Sequence, residues 1–275
     1  MGRLTKAREI MTTIFSTRST ARSGLTKLAL GVTTALTMLA ATPAMATVLN
    51  FENEMPFPFN GGDPIIKDDY TLTVVDNHGD GTGGAGVIVN GNDPYTCSAD
   101  NCPTGNNSNY YLGVNDGGIV LTRNSTSSQS GWGFRLTGFD YSFLAPVGGL
   151  EDFSYGALNL VGTLLDGSTI SASLDFPGYV DGHPSFAAAQ LGSDFLNATL
   201  TSLSIRACVN VDGADGSLSC VYPAEGSPIL NQAQFGIDNI TLAEVPEPGS
   251  LALLGLGAGA LALRRRKSNA SSTNA

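Results

Sequence analysis

The sequence predicts an all-β protein: a single β-sandwich of jelly-roll type, flanked by an apolar leader and a short apolar C-terminal helix. Three observations carry this. Short runs rich in β-branched and aromatic residues alternate with polar ones at period two, between clusters of Gly, Asn and Asp. No long stretch keeps the helical period of 3.6. Asp166-Gly167 lies between two such runs and is a strong two-residue hairpin signal. No internal repeat is evident, which disfavours a solenoid.

Residues 1–46 read as a signal peptide. Arg3, Lys6, Arg8, Arg18, Arg22 and Lys27 precede the apolar core 28–41, and Ala44-Met45-Ala46 supplies small residues for a signal peptidase. Thr47 is the expected mature start. Met1 and Met11 are alternative initiators, and the lack of a twin arginine favours the Sec route.

The body, 47–244, is long enough for one well-filled core. Strands are predicted over 48–52, 70–75, 86–90, 110–114, 119–123, 134–143, 157–165, 168–176, 200–209, 218–222 and 234–242. In the run after Asp166-Gly167, Ile170, Ala172 and Leu174 point one way and Thr169, Ser171 and Ser173 the other. One or two helical turns are expected within 185–196, where alanines gather. Loops 77–86 and 95–109 are rich in Gly and Asn. In the last strand Phe235 and Ile237 share a face, whereas Ile240 and Leu242 fall on the other. A β-bulge at Asp238-Asn239 would restore the register.

Charge limits the partners. Between Thr47 and Leu263 there are 23 acids and four bases (Lys67, Arg123, Arg135 and Arg206), a net charge of −19. Nucleic acid and anionic membrane surfaces are poor partners for such a body, whereas neutral sugars and divalent cations are compatible. Export favours disulfides. Of the three pairings that four cysteines allow, the local one is expected, Cys97 with Cys102 and Cys208 with Cys220 across a hairpin. Zinc is disfavoured, because neither His78 nor His183 lies at ligand spacing from a cysteine. No G-x-S-x-G elbow or other catalytic constellation is present. Acid pairs such as Asp68-Asp69 and Glu151-Asp152 fit solvated turns, so no catalysis is expected. The loop beginning Asp76-Asn77-His78-Gly79-Asp80-Gly81 imitates an EF-hand in part, but Val87 stands where the bidentate Glu is required.

The tail has a distinct order. Val245-Pro246-Glu247-Pro248 ends the folded chain, because the prolines interrupt regular structure. The apolar run 251–263 comes next, then Arg264, Arg265, Arg266 and Lys267, then a polar tail, 268–275. The basic cluster favours the cytoplasmic side. From Ser250 to Leu263 the helix would be roughly 21 Å long against about 30 Å of hydrocarbon, a marginal anchor.

Residues 245–267 resemble the PEP-CTERM sorting signal of Gram-negative bacteria, through Pro246-Glu247-Pro248, the apolar run and Arg264-Arg265-Arg266. The resemblance implies reading by exosortase, an integral-membrane cysteine protease, after a transient stay in the inner membrane. It also implies a link to exopolysaccharide and biofilm. Gln234-Phe235-x-x-Asp238 is similar to a pattern that marks one group of such proteins. The pairing expected between the first and last strands looks like that of carbohydrate-binding jelly rolls. In these an acid from each strand holds a structural calcium, which makes Glu52 and Asp238 candidate ligands. For stacking on a sugar, Trp132, Tyr110 and Tyr111 are the candidates, since they lie near Asn- and Asp-rich loops. The expected role is non-catalytic, at the cell surface or in the extracellular matrix. A polysaccharide-active enzyme and an adhesin or structural protein without a sugar ligand are the alternatives.

Overall fold

The computed structural model describes residues 46–77, 84–93, 101–124, 133–146, 154–213 and 216–245, together with Gly255, Gly257 and Gly259. Those three glycines are helical. Expectations for Ala44, Cys97, Trp132, Pro246, Glu247, Pro248, Arg264, Arg265 and Arg266 fall outside the described residues. No described helix is long and apolar enough to cross a membrane.

The body is built of strands. They are β1 (Ala46–Leu49), β2 (Pro58–Asn60), β3 (Pro64–Lys67), β4 (Tyr70–Val75), β5 (Gly84–Asn90), β6 (Asn109–Gly113), β7 (Gly118–Arg123) and β8 (Gly133–Phe143). Next come β9 (Gly156–Leu164), β10 (Thr169–Asp175), β11 (Tyr179–Val180), β12 (His183–Pro184) and β13 (Ala187–Ala188). After the short helix α1 (Ser193–Asn197) lie β14 (Leu200–Asp212), β15 (Leu218–Val221) and β16 (Phe235–Val245).

One antiparallel sheet takes in all but β11 and β12. Its path runs β2-β5-β6-β16-β8-β14-β7-β4-β3, with β1 on β16, β13 on β8, β9 on β14, β10 on β9 and β15 on β14. The step from β8 to β14 rests on a single pair, Leu200 with Phe134. There the sheet curls, and the strands on either side of the seam close on one core. Leu72, Leu121, Ile205 and Leu160 come from one side; Ile88, Leu136, Phe235 and Leu242 come from the other. Tyr70 meets Phe134 edge-on at 5.7 Å between ring centres. Each large side chain buried this way contributes about 1.5–3 kcal/mol. This is the β-sandwich architecture expected from the strand pattern.

Period two is plain in β4, where Tyr70, Leu72 and Val74 are buried and Thr71, Thr73 and Val75 are half-exposed. In β10, Ile170, Ala172 and Leu174 are half-buried and Thr169, Ser171 and Ser173 are exposed. Strands β2 and β3 lie outside the runs that the sequence pattern marks as strands. Both begin with proline, which breaks the sequence signal for a strand but is tolerated at strand starts and sheet edges. The one or two helical turns expected within 185–196 form at its end as α1, while Ala187 and Ala188 pair with Tyr141 and Asp140 of β8. The β9–β10 hairpin forms, but its loop is Leu165-Asp166-Gly167 rather than Asp166-Gly167 alone. Leu164 pairs with Ser168, and of the three only Gly167 has a positive φ, of 83°. The Asp166 carboxylate accepts from the Ser168 N–H and hydroxyl and holds the turn in this form.

Two sequence readings converge in β16. Its partner register shifts between Asp238 and Thr241, and Asn239 adopts φ 52°. The bulge lets Phe235, Ile237, Ile240 and Leu242 all reach the core. β1 pairs with the second half of β16, Ala46 opposite Ala243 through Leu49 opposite Ile240, so first and last strands lie side by side. Cys208 and Cys220 are joined across the β14–β15 hairpin. Cys102 is also disulfide-bonded.

Candidate functional site

The bulge carries a buried acid. Asp238 is fully buried. Its Oδ2 accepts from Asn106 Nδ2 at 2.8 Å and Ser108 Oγ at 3.0 Å, and its Oδ1 accepts from the Asn239 N–H at 2.8 Å. Burial pushes the carboxyl above the usual carboxylate range. The hydrogen bonds from Asn106, Asn239 and Ser108 oppose that rise, and the charge of Glu52 adds to it. Glu52 itself is exposed on the turn after β1. The charge of Glu52 thus reaches Asp238 through space. Asp238, Glu52 and the side-chain oxygens of Asn106 and Ser108 are the donor types that calcium takes. Among the described residues no group of three or more His, Cys, Asp and Glu side chains is placed to hold a metal.

The tyrosines expected as sugar platforms are core residues. Tyr110 and Tyr111 are both fully buried. As neighbours on β6 they point to opposite faces. Tyr111 packs in the main core against Phe51 and Phe235, and its hydroxyl donates to the Gly118 carbonyl at 3.4 Å. Tyr110 belongs to a second, smaller apolar cluster with Val89, Leu112 and Leu144, capped edge-on by Phe186 at 5.0 Å. Burial pushes the Tyr110 hydroxyl up to about 12 and that of Tyr111 higher still. Neither ring is presented to a ligand. Although they lie beside a loop-rich stretch, β6 alternates between two apolar clusters, one on each face, and both rings are buried.

An unforeseen feature lies on the outer face of β4, β7, β14, β9 and β10. The registers line up Thr71, Thr122, Ser202, Thr163 and Thr169 in one unbroken row. A second row runs Thr73, Val120, Ser204, Val161 and Ser171. All these residues are half-exposed or exposed. Ser202 Oγ donates to Thr163 Oγ1 at 3.0 Å, so neighbouring hydroxyls already couple. Strand geometry sets them about 4.8 Å apart across the strands and about 7 Å apart along them. The rows hold no charge, in a body of net −18.

In the next row Arg206 lies opposite Asn159. The Arg206 guanidinium stacks on the Tyr222 ring at 5.3 Å and donates to Asn77 Oδ1 at 3.2 Å. Asn159 Nδ2 donates to the Tyr222 hydroxyl at 3.0 Å. Tyr222 is 45% exposed, so an aromatic ring held by an amide and a cation borders the hydroxyl rows. Beyond the first row, at the tip of the β9–β10 hairpin, a shallow depression of about 590 Å³ is lined by Leu164, Asp166, Ile170, Asp194, Asn197 and Thr199. Gly133 backs onto Thr199 there.

β16 is paired on both sides as far as Ala243 and on the β8 side at Glu244 and Val245. Leu242 and Thr47 are partners, as are Ala243 and Ala46, while β8 pairs Glu244 with Phe134 and Val245 with Gly133. Arg123 Nη2 lies 3.1 Å from Glu244 Oε1 and 3.9 Å from Asp69 Oδ2, with the arginine side chain only 5% exposed.

Three comparisons bear on this frame. No curated protein matches the chain. Among solved structures the chain resembles TmCBM61 in complex with β-1,4-galactotriose, at 10% identity and TM-score 0.31, covering 72% of this chain and 94% of that one. It also resembles the enzymatically active domain of tailspike protein 4 of bacteriophage CBA120, at 11% identity and TM-score 0.26, covering 65% of this chain and 20% of that one. The CBM22-1–GH10 modules of Clostridium thermocellum endo-1,4-β-D-xylanase 10B, complexed with xylohexaose, align at 13% identity and TM-score 0.23, covering 71% of this chain and 28% of that one. Residues 244–267 match the family model of the PEP-CTERM protein-sorting motif. With breaker, apolar run and basic cluster in that order behind β16, this chain is an exported, surface-directed protein bearing a PEP-CTERM sorting motif, which implies processing by exosortase.

Proposed function

We propose that the protein is a non-catalytic component of the envelope or extracellular polysaccharide matrix of a Gram-negative bacterium. A signal peptidase frees its N-terminus, and exosortase takes it from a transient inner-membrane anchor. It then holds a neutral polysaccharide on its hydroxyl-rich sheet face. The observation that carries the surface role is the sorting motif at 244–267, fused to the last strand of the body. The sugar reading is supported by the rows of uncharged hydroxyls bordered by Tyr222, Arg206 and Asn159. Hydroxyls both donate and accept, and an exposed ring offers one stacking surface. Glu52 and Asp238 are the proposed holders of a structural calcium.

Two experiments test this. Replacing Pro246-Glu247-Pro248 with alanines should leave full-length protein in the membrane; processing like the parent's would show that the motif is not read. On an array of neutral glycans the body should bind at least one, and Thr122→Val with Thr163→Val should weaken that binding about tenfold while leaving the melting temperature near the parent's. A blank array would favour the adhesin reading, and release of reducing sugar would favour the enzyme.

A further inference from the structure

Edge strands present a row of unpaired backbone groups, and folds blunt them with proline, lysine, bulges or shortness. Three edge strands here are blunted in this way. β2 opens on Pro58 and slips register between Phe59 and Asn60. β3 opens on Pro64 and ends on Lys67. β13 is only two residues long. β10 is the exception. It pairs with β9 alone, through seven residues without a register shift. Residues 169–174 hold no proline, glycine or charge. Leu164 N–H donates to the Ser168 carbonyl, and Phe176 N–H donates to the Gly156 carbonyl. The even-numbered residues of β10 therefore turn their backbone groups to β9, and those of Thr169, Ser171, Ser173 and Asp175 face outward. Tyr141 of β8 donates its hydroxyl to the Asp175 carbonyl at 2.7 Å. The edge from Thr169 to Ser173 has no neighbouring strand among the described residues.

We infer that this edge is filled by a second copy of the chain, two β10 strands pairing antiparallel about a two-fold axis at Ser171. Thr169 then lies opposite the partner's Ser173, and Ser171 opposite the partner's Ser171. Only outward-turned backbone groups meet in that register, which gives about six hydrogen bonds. Ile170 lies opposite the partner's Ala172, so the half-buried apolar row of one copy continues into the other. On the outer face serine and threonine meet across the axis, and no charges are opposed within 169–173. The edge is thus its own complement, as an isologous interface requires. The sorting motif directs every copy to the surface, which raises their effective concentration there. A strand pair alone falls short of the about 1,200 Å² of a standard interface, so the dimer is weak and concentration-dependent. The outer row Thr73, Val120, Ser204, Val161 and Ser171 runs through the axis into its own copy, which doubles the hydroxyl face. The pairing itself does not depend on sugar binding.

The test follows sedimentation and hydrogen exchange of the detergent-solubilised full chain as its concentration is raised, in about 0.15 M salt to screen the two acidic bodies. The dimer fraction should grow. The amides of Thr169, Ser171 and Ser173 should gain about tenfold protection with it, while those of Ile170, Ala172 and Leu174 stay protected throughout by β9. Ser171→Lys sets like charges opposite each other across the axis and should abolish the gain. Continued protection of Ile170, Ala172 and Leu174 in that variant shows that its strand is intact. Mixing Ser171→Lys with Ser171→Glu should restore the dimer as a mixed pair. Parent amides at 169–173 that exchange alike at every concentration would overturn the inference. So would a dimer that survives Ser171→Lys, because the chains would then meet elsewhere, the tail included. A mixture that stays monomeric would overturn the register. Each of these failures leaves the sorting and sugar readings standing, since processing and glycan binding are read separately.

Discussion

Opening the Cys208–Cys220 bond tests how the β14–β15 hairpin is held. β15 is exposed along its length and pairs only with β14, through Val209–Val221 to Asp212–Leu218. Those four pairs and the disulfide tie it to β14. The bond closes a loop of sequence separation 12. In the chain-entropy account such a loop stabilises the fold by about 3 kcal/mol. For a body of this size that corresponds to a fall of roughly 6–12 °C in melting temperature. Cys220→Ala is the cleaner change, because Cys220 is exposed, whereas Cys208 is buried and receives a hydrogen bond from Asn159 Nδ2 at 2.9 Å. The loss should be local first. Amides of 218–221 should exchange rapidly in the variant, while those of β14 opposite β7 and β9 stay protected. Calorimetry and hydrogen exchange read the two parts. A melting shift under about 2 °C, with β15 as protected as in the parent, would refute the argument that the bond, rather than the ladder, holds this strand.

Three further outcomes are expected. Burial raises the carboxyls of Asp116 and Asp238 despite their hydrogen bonds, so the native state binds protons more tightly than the unfolded chain. Between the unfolded and the raised folded pKa, stability therefore falls as pH rises and is regained on acidification. The urea midpoint of the parent should rise from about pH 7 to about pH 4.5, and Asp116→Asn and Asp238→Asn should each flatten the rise; equal slopes would contradict this. If Glu52 and Asp238 hold calcium, a hundredfold excess over the dissociation constant stabilises the fold by about 2.7 kcal/mol. Chelation should then lower the melting temperature of the parent but not of Asp238→Asn, and identical parent curves with and without chelator would reject the site. Gly113→Ala should cost about 1–3 kcal/mol, since its Cβ would come within 2.3 Å of the Phe235 ring, whereas Gly138→Ala meets nothing within 4 Å and should be near neutral. Urea melts of the two variants side by side decide it.

Local order in the chain was enough for several features. Alternation alone places Ile170, Ala172 and Leu174 inward, because a strand has only two faces. The change of phase between Ile237 and Ile240 implies a bulge, since a straight strand could not bury both. The tail is likewise a linear signal, read by the order of breaker, apolar run and basic cluster, and needs no fold to be legible. Tertiary structure decided the features that depend on pairing. Tyr110 has the sequence setting of a loop-side platform, but Phe186, 76 positions away in sequence, caps it. Thr71, Thr122, Ser202, Thr163 and Thr169 carry no signal in the linear chain. They become one hydroxyl row only through the registers of five strands, and register is a property of partners. The acid at Asp238 could be suspected from its place beside the bulge. Its burial and its bonds to Asn106 and Ser108 belong to a loop 130 or more residues earlier, which only the closed sheet brings to it.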